Sequence, residues 1–163
     1  DKVRVGEVEF IAWDTPGHAK HHHVFVAGGV CFAGDVAGVR LPGEKYLSAT
    51  TAPSQFDPAA YAISIARLQE AKFDRLYLTH FDAIDDVDDH LARYAEVVAE
   101  VSELVRRDLE NGAADAEIEA SLMKLNRAKA KSYHVSEETW QRYEVANGTS
   151  MCAEGIAQYW RRN

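Results

Sequence analysis

Cysteine is scarce. Cys31 and Cys152 are the only two, and two thiols do not make the disulfide framework that small secreted domains rely on. The expectation is a reduced, cytoplasmic protein. Long apolar runs are missing as well: no stretch approaches the roughly 20 residues that cross a bilayer, and nothing at the start reads as a secretory leader. Positive charge is in deficit, with 18 Lys and Arg against 26 Asp and Glu and a formal net charge of −8. Such a chain repels phosphate backbones, which argues against general nucleic-acid binding. Internal repeats and low-complexity segments are absent.

What is present suits an ordinary folded protein. The 163 residues are 47% hydrophobic and 27% charged, enough for one domain with a real core, or a small domain with an appendage. Val3 and Val5, then Val8, Phe10 and Ala12, alternate with polar residues around Gly6, which predicts two short strands and a tight turn. Segments 22–27 and 30–33 flank Gly28-Gly29, a strong hairpin signal. Residues 36–57 hold Gly38, Pro42, Gly43, Ser48, Pro53 and Ser54 and read as a long irregular loop, the kind that is usually functional.

Asp57-Pro58 then opens a helix, with Asp as N-cap and Pro at the first helical position. Its apolar face is Tyr61, Ile65 and Leu68, and it ends near Lys72. Segment 75–79, RLYLT, reads as a buried strand, so helix and strand together predict a crossover unit in a sheet. From Asp86 onward the pattern is helical. Val87, Leu91, Tyr94, Val98, Val101 and Val105 form one apolar stripe that Asn111-Gly112 ends,. Ile118, Leu122 and Leu125 mark the next helix. Ser136 opens another, with Trp140 and Tyr143, and Ser150 is expected to cap a last one carrying Ile156, Tyr159 and Trp160,. These four aromatic residues read as packing anchors. The chain therefore divides near residue 85 into an α/β part, 1–85, and a helical part, 86–163.

Three places carry chemistry: Thr15-Pro16-Gly17-His18 followed by His21, His22 and His23; Gly34-Asp35, straight after the hairpin; and Thr79-His80-Phe81-Asp82, at the carboxyl end of the buried strand. A hairpin turning at Gly28-Gly29 sets Asp35 opposite about residue 22, and the Thr-Pro-Gly turn can bring His18 over the same end. His80 emerges where open α/β sheets place their ligands. Two imidazoles and a carboxylate there suit zinc, or iron or manganese, and a carboxylate can bridge two ions. A single histidine at a strand end is more often structural than a ligand, so the weight rests on the three together. His21, His22 and His23 cannot all face one ion, because adjacent strand residues point to opposite faces. Asp82, Asp85, Asp86, Asp88 and Asp89 lack the glycine and spacing of a calcium loop and suit a helix N-terminus. Cys31, inside a strand, reads as a small core residue.

The pieces DTPGH ending at His18, HVFV, CFAGDVAG around Asp35, APSQFDP before the helix and LYLTHFD around His80 resemble, in order and spacing, the metallo-β-lactamase superfamily. The branch similar to glyoxalase II is the nearest likeness, which covers roughly residues 3 to 85. It implies an α/β fold: the C-terminal half of an αββα sandwich, followed by a helical C-terminal region. His18 would bind the first metal ion, Asp35 would bridge both as the catalytic carboxylate, and His80 would bind the second. His22 and Asp82 would stand behind the ligands. The loop after Asp35 borders the substrate pocket in relatives, which offers Arg40 and Tyr46 as substrate-binding residues; Arg40 suits an anionic group, although a solvated surface Arg is at least as common.

The implied activity is metal-dependent hydrolysis, with one or two zinc ions, iron or manganese as alternatives, and a metal-bound hydroxide attacking an ester, thioester or related bond of a small molecule. The alternative is a non-hydrolytic metal-binding protein, either an iron-dependent redox relative or a regulatory subunit. The family's first ligand cluster, His-x-His-x-Asp-His, and the strands around it do not occur in these residues. The expected partner is therefore the N-terminal half of the same fold, cleaved, omitted or on a separate chain, with cleavage or omission favoured because the sequence opens abruptly on a strand. The helical part is expected to cover the sheet edge, or to use its stripe as a homodimer seam. No membrane partner is expected.

Overall fold

The computed structural model describes residues 1–80 and 83–163. Among them the chain forms one sheet of six strands in sequence order: β1 (Lys2–Val5), β2 (Val8–Asp14), β3 (His23–Ala27), β4 (Val30–Gly34), β5 (Arg75–Leu78) and β6 (Ala83–Ile84). All neighbours are antiparallel except β4 and β5, which are parallel and joined through α1 (Pro58–Ala71). The two tight turns lie where expected: Val5 pairs with Val8 and Ala27 with Val30, with Gly6 at φ 61° and Gly28 at φ 60°. Positive φ is what two-residue hairpin loops require, and glycine takes it without a Cβ penalty. The two-residue β6 was not foreseen.

Alternation sorts the sheet into two faces. Val24, Val26, Cys31, Ala33, Leu76 and Leu78 are buried towards the helices. Phe25, Phe32 and Tyr77 point the other way and remain 45%, 41% and 37% exposed. Phe10, Phe32 and Tyr77 form an aromatic row across the strands, with ring separations of 5.9 and 5.2 Å.

The helix α1 starts as its sequence dictates: the Asp57 carboxylate accepts the backbone N–H groups of Ala59 and Ala60, and Lys72 closes it with left-handed backbone at φ 52°. The stripe predicted for α2 (Val87–Glu110) is buried along its length. It packs on α1 and α5, so it is not a free seam for a second copy. Helices α3 (Asp115–Ser132), α4 (Glu137–Ala146) and α5 (Thr149–Arg162) follow. The last begins two residues earlier than a Ser150 cap implies, with Gly148 as N-cap, because the Glu144 carboxylate reaches across to accept both the N–H and the hydroxyl of Thr149, doing what an N-cap side chain normally does. One apolar cluster joins Val24, Cys31 and Leu76 of the sheet to Tyr94, Ile118 and Ile156 of the helices, so the core runs without interruption past residue 85. A smaller cluster of Val39, Tyr46, Ala130, Trp140 and Tyr143 anchors the long loop on α3 and α4. Among the described residues no helix is long and apolar enough to cross a membrane.

The contact between α5 and the loop gives a direct test. A Cβ added at Gly155 would lie 1.8 Å from the carbonyl oxygen of Thr51 and 2.7 Å from the carbonyl carbon of Ala52. Alanine gains up to about 1 kcal/mol in helix propensity, whereas overpacking costs about 1–3 kcal/mol. The clash is with backbone that no rotamer relieves, so the steric term wins. Gly155→Ala should lower the melting temperature by several degrees, on the order of 2–4 °C per kcal/mol at this size. An unchanged or raised melting temperature would show that α5 does not sit this close to the loop.

Candidate metal centre

The rim at the carboxyl ends of β4 and β5 is built around one carboxylate. Gly34, at φ 57°, turns the chain out of β4, and a Cβ there would come within 2.6 Å of His22 Nε2. The following residue is Asp35, whose backbone N–H donates to His22 Nε2 at 3.1 Å. An imidazole nitrogen that accepts is unprotonated, so the neutral His22 ring carries its proton on Nδ1 and gives it to Thr15 Oγ1, 2.9 Å away,. Burial, and then the neighbouring His18, lower the His22 pKa below the usual histidine value, which keeps this arrangement neutral. His22 thus holds the backbone on which the Asp35 carboxylate is mounted.

His18 lies in the turn between β2 and β3. Thr15 N–H donates to the His22 carbonyl and Asp57 N–H to the Gly17 carbonyl, which tie both ends of the turn down. The His18 ring sets Nδ1 3.1 Å from the Thr50 carbonyl. A carbonyl only accepts, so Nδ1 carries a proton, and in the neutral ring Nε2 is the atom with the lone pair. That atom faces Asp35 Oδ2 at 3.9 Å. His80, just past β5, faces the other oxygen, Oδ1, at 3.2 Å. All three side chains are about a quarter exposed, at 21%, 26% and 24%. His18 and Asp35 open on a depression of about 580 Å³ that His21, His23, Pro53 and Gln55 also border, while His80 lines a neighbouring one with Leu41, Pro42 and Glu44.

The structure therefore brings together His18, Asp35 and His80, three residues far apart in sequence. Among the described residues no three His, Cys, Asp or Glu side chains form a group able to hold an ion by themselves. The geometry explains this. The two imidazoles address opposite oxygens, so a cation on either side would have two donors from this chain, against the four of a tetrahedral site. The donor types suit a divalent ion; their number is half of what is needed.

Other candidate residues fall elsewhere. His23 donates through Nδ1 to the His21 carbonyl at 2.8 Å and turns Nε2 towards Asp14, on the face opposite His22, so no three-histidine site forms. Arg40 is not free for a substrate: its Nη1 bonds both oxygens of Asp86 at 2.9 and 3.1 Å and its Nε bonds the Glu44 carbonyl. Tyr46 is 1% exposed and packs edge-on against Tyr143, so it cannot touch a ligand; both substrate-binding assignments are corrected. Asp82 lies outside the described residues. Cys31 is fully buried, and burial pushes its thiol up to about 12, which makes it an inert core residue.

Sequence reading missed the layer beneath. The Asp35 carbonyl accepts the hydroxyls of Thr50 at 2.6 Å and Tyr61 at 2.8 Å, and Tyr94 joins them from α2. Tyr61 and Tyr94 read from their spacing as stripe residues only.

No protein-family model and no curated protein matches the sequence, but solved structures do. A metallo-β-lactamase family protein from Thermus thermophilus is similar over 99% of this chain and 47% of its own, with a TM-score of 0.60 and 18% identity. An archaeal metallo-β-lactamase superfamily protein from Sulfolobus tokodaii is similar over 59% of this chain and 36% of its own, with a TM-score of 0.52 and 25% identity. The class that the sheet, the crossover and the rim define is the metallo-β-lactamase fold. The chain carries it as the C-terminal half of the αββα sandwich with a helical C-terminal region, and it spans less than half the length of these two solved structures.

Proposed function

We propose that this chain is part of a metal-dependent hydrolase, acting together with the N-terminal half of the same fold, and that His18, Asp35 and His80 are its contribution to the metal site. The observation that carries this reading is the placement of two imidazole Nε2 atoms against opposite oxygens of one carboxylate. Residues 1–85 then form the sandwich half and 86–163 the extension behind it. The missing half would supply the remaining donors and a second sheet.

In this reading each residue of the chain has a task. Asp35, with His18 and His80, would hold the metal. Thr50 keeps the His18 Nε2 lone pair available through the ring's other nitrogen. His22 fixes the turn on which Asp35 is mounted. A bound divalent ion, zinc in the first instance, would supply Lewis acidity towards an ester or thioester oxygen and a nucleophile at neutral pH. The depression beside the rim suits a small-molecule substrate, and the net charge of −8 disfavours a nucleic acid.

The test is metal content and turnover in the complete protein, before and after chelation, for the parent and Asp35→Asn. The expected result is bound zinc, hydrolysis of generic esters or thioesters that chelation abolishes, and at least about a tenfold loss of metal affinity in the variant, where the amide cannot carry the bridging charge. Iron with oxygen consumption and no hydrolysis would replace this reading with the redox alternative. Absence of metal from the complete protein would end both.

A further inference from the structure

We propose that Thr50 is a positioning residue for both His18 and Asp35, and that Tyr94 of α2, acting through Thr50, ties the helical region to the rim. Thr50 contacts the two groups through different atoms. Its carbonyl accepts His18 Nδ1–H at 3.1 Å, and its hydroxyl donates to the Asp35 carbonyl at 2.6 Å. Three of its own polar atoms are thereby committed, because its N–H donates to the Tyr94 hydroxyl at 3.2 Å.

The hydroxyls form one network that shares its protons, Thr50 Oγ1 and the Tyr61 hydroxyl also standing 2.7 Å apart with either able to donate. Thr50 and Tyr61 each donate to the Asp35 carbonyl. Tyr94 accepts the Thr50 N–H and has its own proton left for the Tyr61 oxygen at 2.8 Å or the Thr50 oxygen at 3.2 Å. Both tyrosines are 0% exposed and Thr50 is 2% exposed, so no water stands ready to replace a lost member, and a buried donor left unmade is costly. The surrounding chain is moulded on these rings. A Cβ at Gly38 would lie 2.1 Å from the Tyr94 ring, and one at Gly17 would lie 2.4 Å from Tyr61 Cα. The turns carrying Asp35 and His18 therefore rest directly on the two tyrosines.

The consequence is a tautomeric preference. A free neutral imidazole prefers its proton on Nε2, whereas the Thr50 carbonyl favours the Nδ1–H tautomer of the neutral His18 ring, with Nε2 as the lone-pair atom facing Asp35 Oδ2. This tautomer needs no metal. Its effect on metal affinity rests on the hydrolase reading above, and the two are measured separately.

The experiment is nitrogen-15 NMR of the His18 ring in the chelated protein at pH 8, with Co²⁺ titration as a second readout. The variants are Tyr94→Phe, Thr50→Val and Thr50→Ser. Tyr143→Phe is the control: it removes an equally buried hydroxyl, bonded to the Tyr46 carbonyl and the Leu41 N–H, away from the rim. The parent should show the Nδ1–H form. Tyr94→Phe and Thr50→Val should move His18 towards a mixture with the Nε2–H form and weaken Co²⁺ binding about tenfold. Thr50→Ser should restore the parent spectrum, and Tyr143→Phe should leave it unchanged while lowering stability. A tautomer shift in a protein that binds no Co²⁺ would uphold the positioning role and remove the metal reading. An unshifted tautomer in both Tyr94→Phe and Thr50→Val, or an equal shift in Tyr143→Phe, would overturn the proposal.

Discussion

Phe32→Asp is expected to destabilise the complete protein by at least about 4 kcal/mol but this chain alone by only about 1 kcal/mol. In the chain alone Phe32 is 41% exposed and sits between Phe10 and Tyr77. Losing the aromatic pairs costs about 0.5–1.5 kcal/mol, and the new carboxylate stays hydrated. The same residue lies at the centre of an apolar face that continues through Phe25 and Tyr77 to Val3, Val5 and Val8, which are 51%, 64% and 48% exposed. A face of that extent marks an interface, and in the proposed reading a second sheet covers it. A carboxylate buried there without a partner costs several kcal/mol, which dominates the difference. Phe32→Leu, which keeps apolar volume, should lose little in either setting. The comparison is between denaturation midpoints of the two proteins. Equal losses in both would mean that this face stays in water in the complete protein, and the sheet-on-sheet partner would be lost from the account.

What the sequence disclosed follows from the range of the interactions involved. The turn at Gly28, the Asp57-Pro58 helix start and the α2 stripe are set by neighbours within a few residues, and each lies where its pattern predicted. His18, Asp35 and His80 were legible because strand ends converge on one rim once the topology is known. The loop 36–57 was not, because distant residues shape it. Tyr143 bonds the Tyr46 carbonyl and Asn147 bonds Ser48 and the Ala49 carbonyl, from 97 to 99 positions away. Those contacts bury Tyr46, and the ion pair with Asp86, 46 positions on, occupies Arg40. The tyrosines beneath Asp35 illustrate the same limit differently. Periodicity places Tyr61 and Tyr94 in the core through their rings, but it carries no information about which backbone atom each hydroxyl reaches.

Metal-free protein should lose stability as the pH falls below about 6.5, by up to about 1.4 kcal/mol per pH unit for each of two histidines, and His90→Gln should lower that slope. His90 is 0% exposed, its Nε2–H donates to the Ala37 carbonyl at 2.9 Å, and its Nδ1 is buried without a hydrogen-bond partner among the described residues. Burial lowers its pKa below the usual 6.5, outweighing the Ala37 carbonyl, while Arg40 and Asp86 act in opposite directions. His22 is lowered by burial and then by His18. Both groups therefore bind protons more weakly folded than unfolded. Their contribution is complete above about pH 6.5 and declines below it as the unfolded chain takes up protons first, each adding up to about 1.4 kcal/mol per pH unit. Asp86, raised by burial but lowered overall by its bond to Arg40, acts only near and below the ordinary carboxylate range, so it does not contribute to this window. Glutamine at position 90 keeps a donor for the Ala37 carbonyl and does not titrate, so the change should be in slope more than in stability at pH 8. Denaturation midpoints at half-unit pH steps, with chelator present, measure it. An undiminished slope in His90→Gln would show that His90 is protonated in the folded protein and that its unpartnered nitrogen is not part of the acid response.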